Sequence, residues 1–297
     1  MFSISCDKAL DVSRYDSNIS REASAGAFKL LSQSYEMIEQ LPVGTRVLDI
    51  GCGTGSVTKY LSAFTNLTQI VGVDVSKEML KIANETVCDS RIAFIQGDIN
   101  KFNSLPEAVR KSDAGLVTCF STLHWIENQH DALLNIFRCL KSGGIFMAVL
   151  LARKTNMYSQ VFDEIWSDPR FKPYRKTEQS HEFDWKSDLP EQDYAKLLAK
   201  VGFEVLRCEQ TPINYYLTFD ELRGKLQAGF GHTARDLPGH LRNLYSQVVF
   251  DKVMSRSTIV PPISKDFSKN DYNQSDFIQL GEENRLFVVC RKPNPIN

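Results

Sequence analysis

The residues best placed to do chemistry fall in three short clusters, each pairing an acidic side chain with glycine. The first is Asp49-Ile50-Gly51-Cys52-Gly53-Thr54-Gly55. Glycines at this spacing allow a tight turn and let backbone N–H groups come close to a ligand, which is how a strand-to-helix loop holds a nucleotide. A dinucleotide site reads Gly-x-Gly-x-x-Gly. Here the third glycine arrives one position early, Ser56 occupies its place, and Asp49 ahead of the loop is foreign to that fingerprint. The second cluster, Val71-Gly72-Val73-Asp74, sets a carboxylate ~20 residues beyond the loop, where it can accept hydrogen bonds from both hydroxyls of a ribose. A turn or helix-cap role for Asp74 is the plain alternative. Met79, one helical turn on, can pad an adenine or simply fill core. The third cluster, Gln96-Gly97-Asp98-Ile99, offers Asp98 to an adenine amino group and the Ile99 N–H as a donor.

These clusters must sit at strand ends, and the surrounding pattern supplies the strands. Apolar positions Ala27, Leu30, Leu31, Tyr35 and Ile38 recur at helical spacing over 21–40, before Pro42 and Gly44 break the pattern. Strands are then expected over 46–50, 69–75, 91–96, 114–120 and 145–151. Helices are expected over 57–64, 77–87, 105–111 and 130–140, the last closed by Lys141-Ser142-Gly143-Gly144 as a C-cap signal. Such alternation implies a doubly wound α/β fold with a parallel sheet and right-handed crossovers. Beyond Leu151 the order changes. An aromatic stretch with Tyr158, Phe162, Trp166, Phe171, Tyr174, Phe183 and Trp185 is followed by a helix over 191–201 and a strand over 203–209. Helical patterns over 219–230 and 237–254 precede a polar, loop-like run over 257–275 and a last strand over 285–291. One domain is therefore expected over 1–297, with a nucleotide-binding core at 41–152. Insertions at 153–190 and 211–280, without strand pattern, are expected to act as lid material, the usual source of specificity.

Bulk properties exclude several partners. Apolar residues make up 42% and the formal net charge is -1, so an ordinary globular composition carries no global basic field toward nucleic acid or anionic lipid. The seven cysteines form no Cys-x-x-Cys pair, so no metal or redox site is expected. They read as reduced thiols, and with no signal peptide pattern and no apolar run near the ~20 residues of a membrane span, a cytoplasmic protein is expected. A monomer or homodimer is expected.

The loop and the two strand-end aspartates together resemble the class I S-adenosylmethionine (SAM)-dependent methyltransferases over 46–151. The resemblance implies a seven-stranded, Rossmann-like sheet with an antiparallel last strand, and an enzyme using SAM. It assigns Asp74 to the ribose, Asp98 to the adenine, and Asp49, Gly51 and Gly53 to the methionine end. Cys52, Gly55, Val75 and Phe120 are further candidate cofactor contacts.

The fourth strand runs into Cys119-Phe120-Ser121-Thr122-Leu123-His124-Trp125, which faces the sulfonium in that fold. An Asn/Asp-Pro-Pro-Tyr/Phe loop for amides and a Pro-Cys nucleophile for cytosine are absent there, and only Glu127 stands nearby where arginine methylation needs two glutamates. Leu123-His124-Trp125 instead resembles small-molecule carboxyl O-methyltransferases, and in particular the arthropod juvenile hormone acid/farnesoic acid methyltransferases. The likeness continues through Leu133-x-Asn135-Ile136, Leu140-Lys141-x-Gly143-Gly144, the aromatic insertion and Val201-Gly202-Phe203. That family carries a glutamine on the substrate carboxylate in its N-terminal segment; alignment on Val12, Arg14 and Asp16 puts Ser13 there, a departure. Ser13, Arg14, Tyr15 and Trp125 are the candidate substrate contacts, and His124 and Trp125 the candidate catalytic pair.

A carboxylic acid of pKa ~4–5 is ionised at neutral pH, so its methylation needs positioning and dehydration rather than a base. His124 can donate a hydrogen bond or, if protonated, a charge; Trp125 can donate its indole N–H or present its ring. The aromatic insertion and the helix over 237–254 suit an apolar pocket, or the core of a lid. The leading expectation is therefore a methyl ester made from a lipophilic acid. A phenol, amine or tRNA acceptor with His124 as base, and a non-catalytic SAM-binding protein, stay open.

Overall fold

A computed structural model of the chain describes residues 24–111, 113–151, 157–175, 191–230, 234, 237–260 and 277–295. Ser13, Arg14 and Tyr15, the candidate contacts in the N-terminal segment, lie outside them, as do Phe183 and Trp185.

The first helical stretch is two helices rather than one. Helix α1 covers residues 24–33 and α2 covers Tyr35–Glu39, parted at Ser34, whose φ of -105° and ψ of 13° depart from the helix. Ala27, Leu30, Leu31 and Ile38 are buried as their spacing requires. Tyr35 is not; it stands exposed, its ring tilted against that of Phe64 with centroids 5.6 Å apart.

The alternating region follows. It runs β1 (Thr45–Ile50), α3 (Ser56–Leu61), β2 (Leu67–Asp74), α4 (Lys77–Thr86), β3 (Ile92–Gln96), α5 (Glu107–Arg110), β4 (Ala114–Phe120), α6 (Gln129–Cys139) and β5 (Leu140–Leu151). Helix α3 stops short of Phe64 because the chain tightens into i→i+3 hydrogen bonds from Ser62 to Lys59, Ala63 to Tyr60 and Phe64 to Leu61. The glycine pair after α6 does not cap it. Strand pairing between β4 and β5 jumps from Ala114↔Leu140 to Leu116↔Ile145, so Lys141–Gly144 bulges out. Gly143 sits at φ 73° and donates to the Lys292 carbonyl at 2.8 Å.

The remaining elements are α7 (Met157–Ser167), α8 (Glu191–Val201), β6 (Glu204–Thr218), α9 (Phe219–Phe230), α10 (Gly239–Met254), β7 (Thr258–Val260) and β8 (Phe277–Arg291). The main sheet order is β3-β2-β1-β4-β5-β8-β6. Neighbours from β3 to β5 are parallel and β8 is antiparallel to β5, which is the expected seven-stranded α/β arrangement. Two differences stand out. Strands β6 and β8 run well past the lengths their alternation suggests, and β7 lies in a stretch that reads as loop. The β-branched triplet Thr258-Ile259-Val260 pairs with Phe277–Gln279, a partner far along the chain that local polarity cannot reveal.

The chain divides into two compact units. The larger comprises Ala23–Ala152, Trp185–Thr211 and Arg285–Asn297. Its β1, β4 and β5 bury Leu48, Ile50, Val117, Cys119, Phe146 and Ala148, covered by Leu133 and Ile136 of α6 and Tyr194 and Leu198 of α8. The smaller comprises Met1–Glu22, Arg153–Asp184 and Pro212–Asn284. Four of its described aromatics pack on one another: Trp166 on Tyr245 at 5.8 Å, Phe171 on Tyr245 at 5.3 Å, Phe162 on Trp166 at 6.1 Å. They form that unit's core. Glu164 of α7 pairs with Lys252 of α10 at 2.8 Å and also with Arg256. No helix among the described residues is long and apolar enough to cross a membrane.

Candidate active site

All three motif clusters meet at the carboxyl ends of β1, β2 and β3. Glycines 51, 53 and 55 have φ of 72°, 54° and 81°, a region that L side chains rarely adopt. The loop is pinned to β2 by Gly51 and Cys52 N–H groups donating to the Val73 carbonyl at 2.7 and 3.1 Å. Packing adds to the demand at two of the three. A Cβ on Gly51 would fall on the Thr122 side chain, and one on Gly55 would meet the Phe94 ring at 2.7 Å. The same ring lies 2.6 Å from a Cβ built on Gly72. A Cβ on Gly53 would meet nothing within 4 Å, so the loop opens outward there. That open glycine, with its neighbours fixed, is a cradle that fits a nucleotide.

Asp49 lies beneath the loop. It is buried, and its carboxylate oxygens accept hydrogen bonds from Thr58 Oγ1 at 2.6 Å and Thr118 Oγ1 at 2.8 Å. Burial raises its pKa to about 6 against the opposing pull of the threonine hydroxyls, with the Asp74 charge adding to the rise. The carboxylate therefore braces α3 and β4 against β1. Sequence reasoning did not pick out Thr58 and Thr118, although Thr118 is a polar residue inside an otherwise apolar run.

Asp74 ends β2 with one oxygen accepting from Gly53 N at 2.8 Å and the other from Ser76 N at 2.9 Å. It thus ties the end of β2 to the glycine loop. Val75 is exposed, while Met79 is buried and its N–H is capped by Ser76 Oγ at 3.3 Å. Gln96, in register with Asp74, donates to the Val75 carbonyl at 3.0 Å and joins the two strand ends. Asp98 accepts from Asn100 N at 3.0 Å and pairs with Lys101 at 3.2 Å. Ile99 is buried, and its carbonyl accepts from Asn135 Nδ2 at 2.8 Å. The Cys52 thiol is buried, and desolvation pushes its pKa well up, so it acts as packing.

Past Phe120, which is buried, the chain turns at Ser121, the one non-glycine among the described residues with positive φ, 53°. Thr122 reaches back to accept no backbone donor but to donate, its Oγ1 lying 3.0 Å from the Phe120 carbonyl and 3.3 Å from that of Gly51. Residues Leu123–Trp125 then form one 3-10 turn. His124 is 4% exposed and its Nδ1 accepts the Leu151 N–H at 3.3 Å. Desolvation, then the charge of Arg285, lowers its pKa well below the usual value, so the ring is neutral with its proton on Nε2. The protonated form is thereby disfavoured. Trp125 is 44% exposed, its ring 5.8 Å from that of His124. Ser121 and Thr122 stand in the Cys119–Trp125 stretch without a role of their own, and Phe94 in no motif; only the close approach of distant backbone segments reveals what they do. Among the described residues no group of His, Cys, Asp and Glu could hold a metal ion.

A family profile described as a methyltransferase domain matches residues 48–148. Juvenile hormone acid O-methyltransferase of Bombyx mori is 29% identical over 216 residues, covering 66% of this chain and 69% of that protein. A ubiquinone/menaquinone biosynthesis C-methyltransferase of Pseudomonas fluorescens is 31% identical over 47% of this chain and 55% of its own length. Among solved structures, phosphoethanolamine N-methyltransferase 2 of Haemonchus contortus in complex with S-adenosyl-L-methionine shares the fold. The TM-score is 0.51 at 17% identity, over 90% of this chain and 53% of that one. The cradle at Gly51–Gly55, the aspartates at 49, 74 and 98 and these likenesses agree. Residues 48–148 match a methyltransferase domain, and the fold is that of the class I SAM-dependent methyltransferases.

Proposed function

We propose that the methyl acceptor is the carboxylate of a lipophilic small acid and the product its methyl ester. The observation that carries this reading is the state of His124. Its Nδ1 is engaged by the Leu151 N–H and its ring is neutral, so Nε2 bears the proton and can donate but not abstract. An acceptor that must lose a proton gains nothing from such a group, whereas an ionised carboxylate needs only a donor and a place to lie. Bound SAM supplies an electrophilic methyl group, held by the Gly53 backbone and Asp74 with Asp98 toward the adenine. The exposed Trp125 indole offers an apolar face beside the donor. The Bombyx mori relative supports the choice by its name, an acid O-methyltransferase. A small-molecule partner, with no nucleic acid, goes with this reading, and the six free thiols among the described residues suit a reducing, cytoplasmic setting.

The test is to incubate the protein with SAM and a panel of farnesoic, juvenile hormone and fatty acids, identifying product by mass. A methyl ester from at least one acid is expected; none from any acid overturns the reading. Phenol and amine substrates in the same panel address the second class of acceptor.

A further inference from the structure

Arg285 is 6% exposed, the most deeply buried lysine or arginine among the described residues. It lies in β8 directly opposite Leu151, the last residue of β5. Because β5 runs parallel to β1 and β4, that position is at the carboxyl end of the sheet, the end where ligands of such folds bind. The Leu151 N–H in turn donates to His124 Nδ1 at 3.3 Å. One backbone position therefore links the buried guanidinium to the neutral imidazole, and the Arg285 charge is close enough to act on that ring.

We infer that Arg285 is a specificity-determining residue that recognises the anionic head of the acceptor, with His124 as its neutral partner; this rests on the carboxylate reading above. A guanidinium presents N–H donors in a planar fork that matches a carboxylate, and its attraction is stronger where water is excluded. His124 Nε2–H supplies a donor without a second charge. A neutral imidazole is what a nearby fixed cation selects, since two positive charges there would repel. Methylation removes the anion's charge, so an ester loses the ion pair that held the acid. The arrangement thus favours binding of acid and release of ester at the same residue.

The experiment measures dissociation constants of farnesoic acid, its primary amide and its methyl ester for the protein saturated with S-adenosylhomocysteine, by calorimetry. Wild type, R285K and R285Q are compared, with SAM affinity and melting temperature recorded for each. Wild type is expected to prefer the acid to the ester and amide by at least about 30-fold, the lower range for a buried charge pair. R285K should keep part of that preference and R285Q lose it, both binding SAM as wild type does. Equal affinity of wild type for the acid and its neutral analogues overturns the inference without any variant. So does an R285Q that folds and keeps the wild-type acid-to-ester ratio. If R285Q does not fold, an R285K ratio equal to wild type overturns it, because a point charge cannot replace the fork unchanged. Acid-selective binding without ester formation would leave the anion site standing and refute the carboxylate acceptor. Ester formation with no role for Arg285 would do the reverse.

Discussion

Asp49 and Thr118, 69 positions apart, sit in register on β1 and β4 and share a 2.8 Å hydrogen bond inside the sheet. With Thr58 on the other oxygen, the carboxylate is a buried brace under the glycine loop. Its raised pKa of about 6 fixes the sign of a pH effect. The folded state holds the proton more tightly than the unfolded chain, so this group's contribution falls as pH rises from about 4 through about 6 and is level above. The whole window amounts to about 3 kcal/mol. Urea denaturation of wild type and D49N at pH 5 and pH 7.5 isolates it, since His124 contributes equally to both proteins. The stability difference, wild type minus variant, should be larger at pH 5 by about 1–1.5 kcal/mol. A difference independent of pH would refute the buried carboxylate.

Glycines 51 and 53 predict unequal costs. An alanine at Gly53 carries only the left-handed backbone penalty, about 1–2 kcal/mol, because nothing lies within 4 Å of its Cβ. At Gly51 the same change also drives a methyl group into Thr122, adding about 1–3 kcal/mol of overpacking. Denaturation midpoints should rank wild type above G53A and G53A above G51A. SAM affinity should nevertheless fall in both. G53A more stable than wild type, or equal to G51A, would contradict the loop geometry.

Asp74 should dominate cofactor affinity. On the proposed ribose role, D74A would remove two hydrogen bonds worth ~1–1.5 kcal/mol each, so the SAM dissociation constant should rise about tenfold or more. It also frees the Gly53 N–H that the carboxylate holds at 2.8 Å. Unchanged affinity by calorimetry would mean the cofactor lies elsewhere.

His124 should behave as a donor. Glutamine can accept from the Leu151 N–H and donate from the other end, so H124Q should lower kcat/KM for an acid substrate by less than about tenfold, whereas loss of a general base costs about 10²–10⁴-fold. W125F should lower turnover while leaving the SAM dissociation constant unchanged. An H124Q defect in the larger range would restore the base.

The sequence made the nucleotide half of the fold legible because its strands are short, apolar and punctuated by glycine. Asp49, Asp74 and Asp98 stand at or just past the ends of strands that the alternation predicts. What it could not convey is contact between distant segments. Thr58 and Thr118 read as ordinary polar residues until Asp49 lies between them. The stretch over 257–275 reads as loop because β7 is made by its pairing with β8, not by its own pattern. Glycines 143 and 144 read as a helix stop for the same reason: their partner, Lys292, is far along the chain. Phe162, Trp166 and Phe171 announce burial but not what they bury against, and they pack on Tyr245 and on one another.

The Phe94 ring has a consequence for how this chain can vary. It lies against the space above both Gly55 and Gly72, two glycines that belong to different motifs. Neither can acquire a methyl group while the ring is in place, and shrinking the ring alone would leave a void beside both. The three positions therefore form one evolutionary unit, in which a permitted change at one presupposes a change at another. Among relatives, a bulkier residue at either glycine position should travel with a smaller one at position 94, so that a contact absent from every motif would show itself as covariation.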